Sequence, residues 1–449
     1  MTGEAKIQEA AQANVSLPIP DRELRFNWRH CWYPVTFIRD LPIERAYSFS
    51  IHDEPFVMFR NQDGTLACLT DRCPHRAAKL SDGQIIDGKI ECLFHGWQFS
   101  TDGQCLHIPQ LPTEDKIPAK ACVPSFTVVE RQGIVWVWLG ELEAADKERI
   151  PIIPDLDKPE FVNTDFVGDL PYDQSYLIEH ALDPAHANIS HHGSEGNRES
   201  AKPLEMEVSE SSATGIRGRF RGKQKPNANW VKVDFVAPNF VYYKLDFEKE
   251  IWGLALYSIP LGKGRSRVLF RSYSNNNFFT WKVKLTPRWL DHWFRNKVVE
   301  EDLPLFVGVQ EQVERLGRNL KEVYLPLKTS DRFVIEYRKW LDKFGASLPF
   351  YQGYSTSQAA DSNGECNAVL LGRFSQHTLI CSSCHRAYQV TNRLKKTLVA
   401  VAIGLTALAI VTDGFGHEVA AVSASLSAVA LAAVVQIVKT RFERSYKRR

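Results

Sequence analysis

Cys73-Pro74-His75 and Cys92-Leu93-Phe94-His95 each offer one thiolate and one imidazole. Gly83 and Gly88 lie between them and read as turns, so the two pairs stand on separate loops. Iron–sulfur clusters normally take four thiolates. In a Rieske centre two imidazoles replace two thiolates on one iron, which raises the reduction potential. A Cys-His pair used twice supplies that ligand set. Structural zinc accepts the same four side chains, but it usually groups the cysteines in one knuckle and the histidines in the other. Here each knuckle carries one of each, which favours the cluster.

A second candidate centre follows in Glu179-His180-Ala181-Leu182-Asp183-Pro184-Ala185-His186, continuing to His191 and His192. Glu179, Asp183, His186 and His191 are spaced so that several project from one side of a helix. Two imidazoles and one carboxylate form a facial triad, which leaves positions on non-haem iron(II) for oxygen and substrate. Alone, the segment could equally hold zinc. A Rieske cluster upstream needs an electron acceptor, and iron here would be one. His192 is an alternative ligand, but spacing from His186 favours His191. His107, His292 and His377 read as surface or structural residues.

Two further cysteines, in Cys381-Ser382-Ser383-Cys384, could close a small disulfide, and one thiol of such a motif often has a depressed pKa. His385 and Arg386 follow directly and could stabilise a thiolate. Half of a metal site is a second reading, but no second Cys pair completes it, since Cys366 stands alone nearby; a free, unreactive pair is a third. Cys105 fits no cluster slot and reads as packing.

The elements that must position these residues predict an α+β chain. Phe26 to about residue 146 is β-like, with Glu54 to Arg60 and Thr65 to Thr70 flanking the turn Asn61-Gln62-Asp63-Gly64. Ile134 to Leu139 reads as a buried strand, and Leu106 to Pro112 as a third loop over the cluster. A Pro- and charge-rich linker, Lys147 to Pro159, precedes a mixed helix-and-sheet region over residues 160–345. Its strand-like segments are Phe235 to Phe247, Ile251 to Ile259 and Arg267 to Tyr273. Thr286-Pro287 reads as a helix N-cap followed by Pro in the first turn, and Ser330 as the cap of a helix reaching Phe344. Residues 346–392 read as a linker that carries the Cys pair. Residues 394–438 read as a transmembrane hairpin: Leu398 to Val411 is apolar, Asp413 to Glu418 interrupts, and Val419 to Val438 is apolar again. Arg393, Lys395 and Lys396 on one side, and Lys439, Arg441 and Arg444 on the other, place both ends on the cytoplasmic or stromal side.

Bulk properties exclude some classes. The chain has 449 residues, enough for two or three domains, and a net charge of +2 that argues against nucleic acid as partner. Its nine cysteines are scattered, unlike a secreted disulfide framework. Met1 to Pro20 shows no apolar core and no Arg-rich amphipathic pattern, so no signal or transit peptide is expected there.

Cys-Pro-His-Arg at 73–76, Cys-Leu-Phe-His-Gly-Trp-Gln-Phe at 92–99 and Asp-Pro-Ala-His at 183–186 together resemble the Rieske non-haem iron oxygenases. With the Cys381/Cys384 motif and the hairpin, the chain is similar to the branch containing pheophorbide a, protochlorophyllide a and chlorophyllide a oxygenases. The resemblance implies a 2Fe–2S cluster on Cys73, His75, Cys92 and His95. It implies mononuclear iron on His186 and His191, with Asp183 relaying electrons. The third ligand is expected in a Glu-Asp pair opening a helix, where Glu301-Asp302 matches; Asp302 falls in the ligand slot and Glu301 is the alternative. His180 departs from the pattern, which has Asn there. The resemblance implies redox action of Cys381 and Cys384, reduced by a thioredoxin. The expected activity is a membrane-bound monooxygenase of chlorophyll metabolism, acting on a tetrapyrrole such as pheophorbide a or a chlorophyllide. Its expected partners are a ferredoxin-like donor, O2 and further copies of itself in a homotrimer, and its location a cyanobacterial or plastid membrane. A redox-sensing electron-transfer protein and an oxygenase of another lipophilic aromatic are the competing readings.

Overall fold

The computed structural model of the chain describes residues 26–224, 227–357 and 372–446. Met1 to Pro20, and residues 358–371 of the expected linker with Cys366 among them, lie outside the described residues. Strands β1 (Trp32–Phe37), β2 (Tyr47–Ile51), β3 (Glu54–Arg60) and β4 (Leu66–Thr70) are followed by four short ones. These are β5 (Gln84–Ile86), β6 (Lys89–Glu91), β7 (Gln98–Phe99) and β8 (Cys105–His107); β9 (Ser125–Arg131) and β10 (Ile134–Trp138) complete this part. One sheet runs β1-β10-β9-β4-β3-β2 and the short strands make another, β5-β6-β7-β8. The expected turn between β3 and β4 forms because Asn61 and Asp63 side chains both accept from the Thr65 amide, at 2.9 and 2.7 Å, while Gly64 takes φ 87°.

The second part begins with β11 (Val162–Leu170), α1 (Gln174–Ala181) and α2 (Ala187–Ser190). Then come β12 (Leu204–Ser212), β13 (Gly215–Gly222), β14 (Val231–Val236), β15 (Phe240–Phe247), β16 (Glu250–Gly262) and β17 (Arg265–Ser274). They form one antiparallel sheet in the order β11-β17-β16-β15-β14-β13-β12. The segment expected as one strand from Phe235 to Phe247 is two, because Ala237-Pro238-Asn239 turns the chain and Pro238 has no N–H for a ladder. Helices α3 (Asn277–Leu285), α4 (Arg288–Leu316), α5 (Leu320–Val323) and α6 (Arg332–Phe344) follow. Pro287, not Thr286, takes the N-cap position of α4, and Asp331, not Ser330, that of α6. The Glu-Asp pair expected to open a helix lies in the middle of α4, two residues before Pro304.

All six residues of β1 and all five of β10 are buried. An edge strand buried throughout needs a neighbour, and here it is the second sheet. Asn239 Nδ2 donates to the Trp32 carbonyl at 2.8 Å, and Trp136 meets Tyr257 edge-on with ring centroids 5.6 Å apart. One apolar core therefore runs from Trp28 across both sheets to Phe442, and the two parts hold each other in a fixed relation.

The chain ends in two long helices, α7 (Ser382–Val411) and α8 (Phe415–Glu443). Helix α7 begins at Ser382, so Cys384 lies in its first turn and not in a linker. The helices pack through small residues: Ala402, Ala421, Ser425, Ala428 and Ala432 face inward. Ser425 Oγ donates to the Ala402 carbonyl at 2.9 Å and contacts Thr406 Oγ1 at 2.9 Å. Ile403, Ile410, Leu426 and Val434 face outward and stay exposed. Mean hydropathy over the most apolar window is 1.9 in α7 and 2.1 in α8, and both are long enough to cross a membrane. After α8 the chain returns to α4. Glu300, buried on α4, accepts from Arg444 at 2.6 Å and also contacts Arg373, and Tyr446 donates to Asn296 at 2.5 Å.

Candidate metal centres

The first centre lies between β4 and β5 and between β6 and β7. Its two loops are conformational copies. Cys73 N donates to the Ala78 carbonyl at 2.8 Å, and Cys92 N to the Trp97 carbonyl at 2.9 Å. Ala77 N closes back on the Cys73 carbonyl at 3.0 Å, and Gly96 N on that of Cys92 at 2.8 Å. The closing residue is left-handed in both, φ 59° at Ala77 and 75° at Gly96. In the second loop a Cβ at Gly96 would also meet Pro109 at 2.9 Å, a close approach that favours glycine there, where the first loop tolerates Ala77. Each turn buries its cysteine and leaves its histidine towards the surface. The His75 and His95 rings come within 4.5 Å of each other, and Trp97 stacks on His75 at 4.7 Å. The expected third loop is in place: Gln110 Nε2 donates to the His95 carbonyl at 2.9 Å. Two buried thiols beside two outward imidazoles match the donor chemistry of a Rieske cluster, with the imidazole edge facing incoming electrons.

The second centre forms where α1, α2 and α4 meet. The segment expected as one helix breaks at Asp183-Pro184, and this changes which side chains converge. Glu179 turns away: its carboxylate is taken by the buried Arg338 guanidinium and by the Tyr324 hydroxyl at 3.0 Å. His180 takes its place. Its Nε2 lies 2.9 Å from His186 Nε2 and 3.3 Å from Asp302 Oδ2, and the ligating atoms of these three residues all fall within 4.8 Å of one another. His191 Nε2 is 3.1 Å from the same Asp302 oxygen. Glu301 sits behind, accepting from His191 Nδ1 at 2.9 Å. His192 faces solvent and accepts from the Arg198 amide. The sequence named His186, His191 and Asp302 as candidates and His180 only as a departure from a pattern; the chain break that swings His180 inward is signalled by Asp183-Pro184.

Proton accounting sharpens the picture. His186 Nδ1–H donates to the Asp183 carbonyl at 2.5 Å and His191 Nδ1–H to Glu301, so both Nε2 atoms are left to offer lone pairs. At His191 that lone pair faces a carboxylate oxygen, and only a proton or a metal cation can stand between them. Burial opposes a proton there, yet the hydrogen bonds and charge of Asp302 and Glu301 outweigh it and raise His191 to about 9. Burial tends to raise Asp302 as well, but His180 and His191 hold its carboxyl far below the usual range. Burial pushes His186 down to about 3. Asp302 Oδ1 is buried without any hydrogen-bond partner, as expected of an oxygen reserved for a metal. Asp183 caps the turn, accepting from the Ala185 amide at 2.8 Å, and burial lifts its carboxyl to about 6. A cavity of about 320 Å³ opens beside His180, Asp183, Phe306 and Tyr324, with Phe306 stacked 4.0 Å from His180.

A three-sheet scaffold with a Cys2His2 cluster site on paired loops and a His/carboxylate site on helices defines a Rieske non-haem iron oxygenase. Comparison with known proteins agrees. Residues 31–127 match the Rieske [2Fe-2S] domain and residues 235–319 the pheophorbide a oxygenase domain. Protein TIC 55 of Arabidopsis thaliana chloroplasts is 33% identical, across 87% of this chain and 79% of its own. The chloroplast pheophorbide a oxygenase of the same plant is also 33% identical, across 84% and 76%. Among solved structures, dicamba monooxygenase with bound dicamba superposes with TM-score 0.59 at 23% identity, covering 70% of this chain and 96% of that one. The chain belongs to the Rieske non-haem iron oxygenases, in the branch of pheophorbide a oxygenase and TIC 55. Its cofactors are a 2Fe–2S cluster and a mononuclear iron.

Proposed function

We propose that this chain is a membrane-anchored, ferredoxin-dependent monooxygenase that oxygenates a chlorophyll-derived tetrapyrrole, pheophorbide a or a chlorophyllide. The observation that carries the reading is the Asp302 carboxylate: its Oδ2 lies 3.3 Å from His180 Nε2 and 3.1 Å from His191 Nε2, its buried Oδ1 is orphaned, and His180 lines a half-open cavity. Cys73, His75, Cys92 and His95 hold the cluster; His186, His191 and Asp302 hold the iron. When bound, the cluster supplies electrons singly and the iron activates oxygen. Glu301 fixes the tautomer and angle of His191, and the Asp183 carbonyl does the same for His186. His180 donates towards Asp302 and holds its carboxylate. Asp183 lies next to the iron ligands, its Oδ1 accepting from the His186 amide at 3.3 Å, and is the residue that relays electrons from the cluster.

The cavity falls in the size range of organic-ligand sites, and Phe306 and Tyr324 offer aromatic faces to a flat macrocycle. Outward-facing apolar side chains on α7 and α8 support insertion in a thylakoid, plastid or cyanobacterial membrane, where a lipophilic pigment is concentrated. The test is oxygen uptake by the reduced holoenzyme with pheophorbide a, chlorophyllide a and protochlorophyllide a, with products read by mass spectrometry. Coupled uptake and a product one oxygen atom heavier support the reading. Uptake only with a non-pigment aromatic, or intact cluster spectra without any uptake, overturns it; the second result describes an electron-transfer protein.

A further inference from the structure

Among the described residues, a second four-donor cluster lies apart from both iron centres. Cys381 is the N-cap residue of α7 and Cys384 stands in its first turn. His377 belongs to the π-helical turn Phe374–Thr378 just before them, and His292 comes from the start of α4. The two histidines, read from sequence as surface or structural, are 0% and 1% exposed, and the thiols are 0% and 1%. The four ligating atoms all lie within 4.8 Å of one another. His292 Nδ1 is 3.4 Å from Cys381 Sγ and 3.5 Å from Cys384 Sγ, and His377 Nε2 is 3.2 Å from Cys384 Sγ.

Strand β11 sets both imidazoles. His292 Nε2–H donates to the Asp165 carbonyl and His377 Nδ1–H to the Val167 carbonyl, each at 2.6 Å. Asp165 and Val167 are two residues apart and so lie alike along the strand. With those protons committed, the other nitrogen of each ring carries a lone pair, and both lone pairs point at the thiols. Metal-ligating histidines are characteristically held this way, the far N–H given to a carbonyl or carboxylate. A Cys381–Cys384 disulfide would remove both S–H groups and leave two buried nitrogens with nothing to accept from, which is costly. Simple packing explains a buried cysteine, but not two oriented imidazole lone pairs converging on a pair of them.

We propose that His292, His377, Cys381 and Cys384 bind one Zn²⁺ as a closed structural site. The donor set and its burial suit tetrahedral zinc with no open position, and thiolate with imidazole discriminates against magnesium and calcium. Loading exchanges one Zn²⁺ for the two thiol protons, so the occupied site is neutral, as its burial requires. The metal ties the foot of α7 to α4, the helix that carries Asp302 further along. This role is an alternative to the thioredoxin-responsive dithiol expected from sequence, and it stands whether or not the substrate is a tetrapyrrole.

The test uses the full-length holoenzyme in detergent, with metals measured by plasma mass spectrometry. Expected is about one zinc per chain alongside the iron, lost in Cys384→Ser and in His377→Ala while the Rieske electron-paramagnetic signal persists. Should those variants fail to fold, two measurements on the unaltered protein decide. Cobalt substitution should give thiolate-to-metal charge transfer and the visible bands of a tetrahedral site. Thiol labelling read by peptide mass should spare Cys381 and Cys384 until a zinc chelator is added. An iron-replete chain without zinc overturns the proposal. So does zinc retained in full by Cys384→Ser, or a Cys381–Cys384 disulfide in the native protein.

Discussion

Glu301 and Asp302 are adjacent on one helix and do different work, because one carboxylate faces the iron site and the other faces the back of His191. Asp302→Asn should abolish mononuclear iron binding and leave the cluster spectrum intact. Glu301→Gln should keep the site but weaken metal affinity by roughly 10- to 100-fold, the usual loss when an outer partner of a metal-bound histidine is removed. Iron content and a chelator titration of the two variants separate these outcomes; iron lost in Glu301→Gln but only weakened in Asp302→Asn would mean the two carboxylates have been assigned the wrong way round. His52 is legible only in the structure. It is nearly buried, packs edge-on against Trp28 at 4.7 Å, and its Nε2 has no partner. Burial lowers its pKa from 6.5 to about 4. The folded protein therefore keeps His52 neutral where the unfolded chain would take a proton. Its contribution is complete above pH 6.5 and lost as pH falls towards 4, at up to about 1.4 kcal/mol per pH unit. Thermal midpoints of the wild type should drop faster than those of His52→Phe between pH 7 and 5, and parallel curves would refute this. The cluster ligands were readable in the sequence because each Cys-His pair sits in one short turn. The zinc ligands were not, since His292 and Cys381 are 89 residues apart and only the packing of α4 beneath α7 joins them.

Helix α4 is the element on which the site depends. His292, Asn296 and Glu300 recur every four residues along one stripe, towards the foot of the hairpin, while Glu301 and Asp302 look towards the iron ligands. Glu300 is the anchor of that stripe, gripped by Arg373, itself 2% exposed, and by Arg444. Glu300→Ala leaves Arg373 buried without its carboxylate, a change that costs about 3–5 kcal/mol. A clear fall in thermal midpoint is expected, and a fall no larger than that of a surface Glu→Ala control would show the pair to be dispensable. Strand β10 gives the matching apolar case. Trp136, 1% exposed between the two sheets, should cost about 3–5 kcal/mol as Trp136→Ala. The buried strand was evident from Ile134-Val-Trp-Val-Trp, but the register of α4 was not. Acidic residues suggest a helix start, and here tertiary pairings, of Glu300 with Arg373 and Arg444 and of Glu301 and Asp302 with His191, let them sit in the middle of one, ahead of a proline.

At the scale of the molecule, the hairpin is bound to the catalytic body at both its feet. Cutting the chain after Arg393 therefore removes more than an anchor, because it takes Arg444 from Glu300 and Tyr446 from Asn296. Replacing only residues 398–438 by a short flexible linker should release the protein from membranes into high-salt buffer while keeping its thermal midpoint. Truncation after Arg393 should release a much less stable protein. Sedimentation with and without salt, together with melting curves, distinguishes the two; membrane retention of the linker form would remove the hairpin as anchor. The buried contact between Tyr446 and Asn296 also fixes the sidedness of the chain. Residues that touch cannot lie on opposite faces of a bilayer, so if α7 and α8 cross one, Tyr446 lies in the compartment that houses the iron. The bend around Asp413 and Gly414 is then the one part displayed on the far side. An epitope fused behind Arg449 and another inserted at Gly414 would be cleaved by protease from opposite directions in sealed vesicles, which makes the polarity of the enzyme measurable without assaying it.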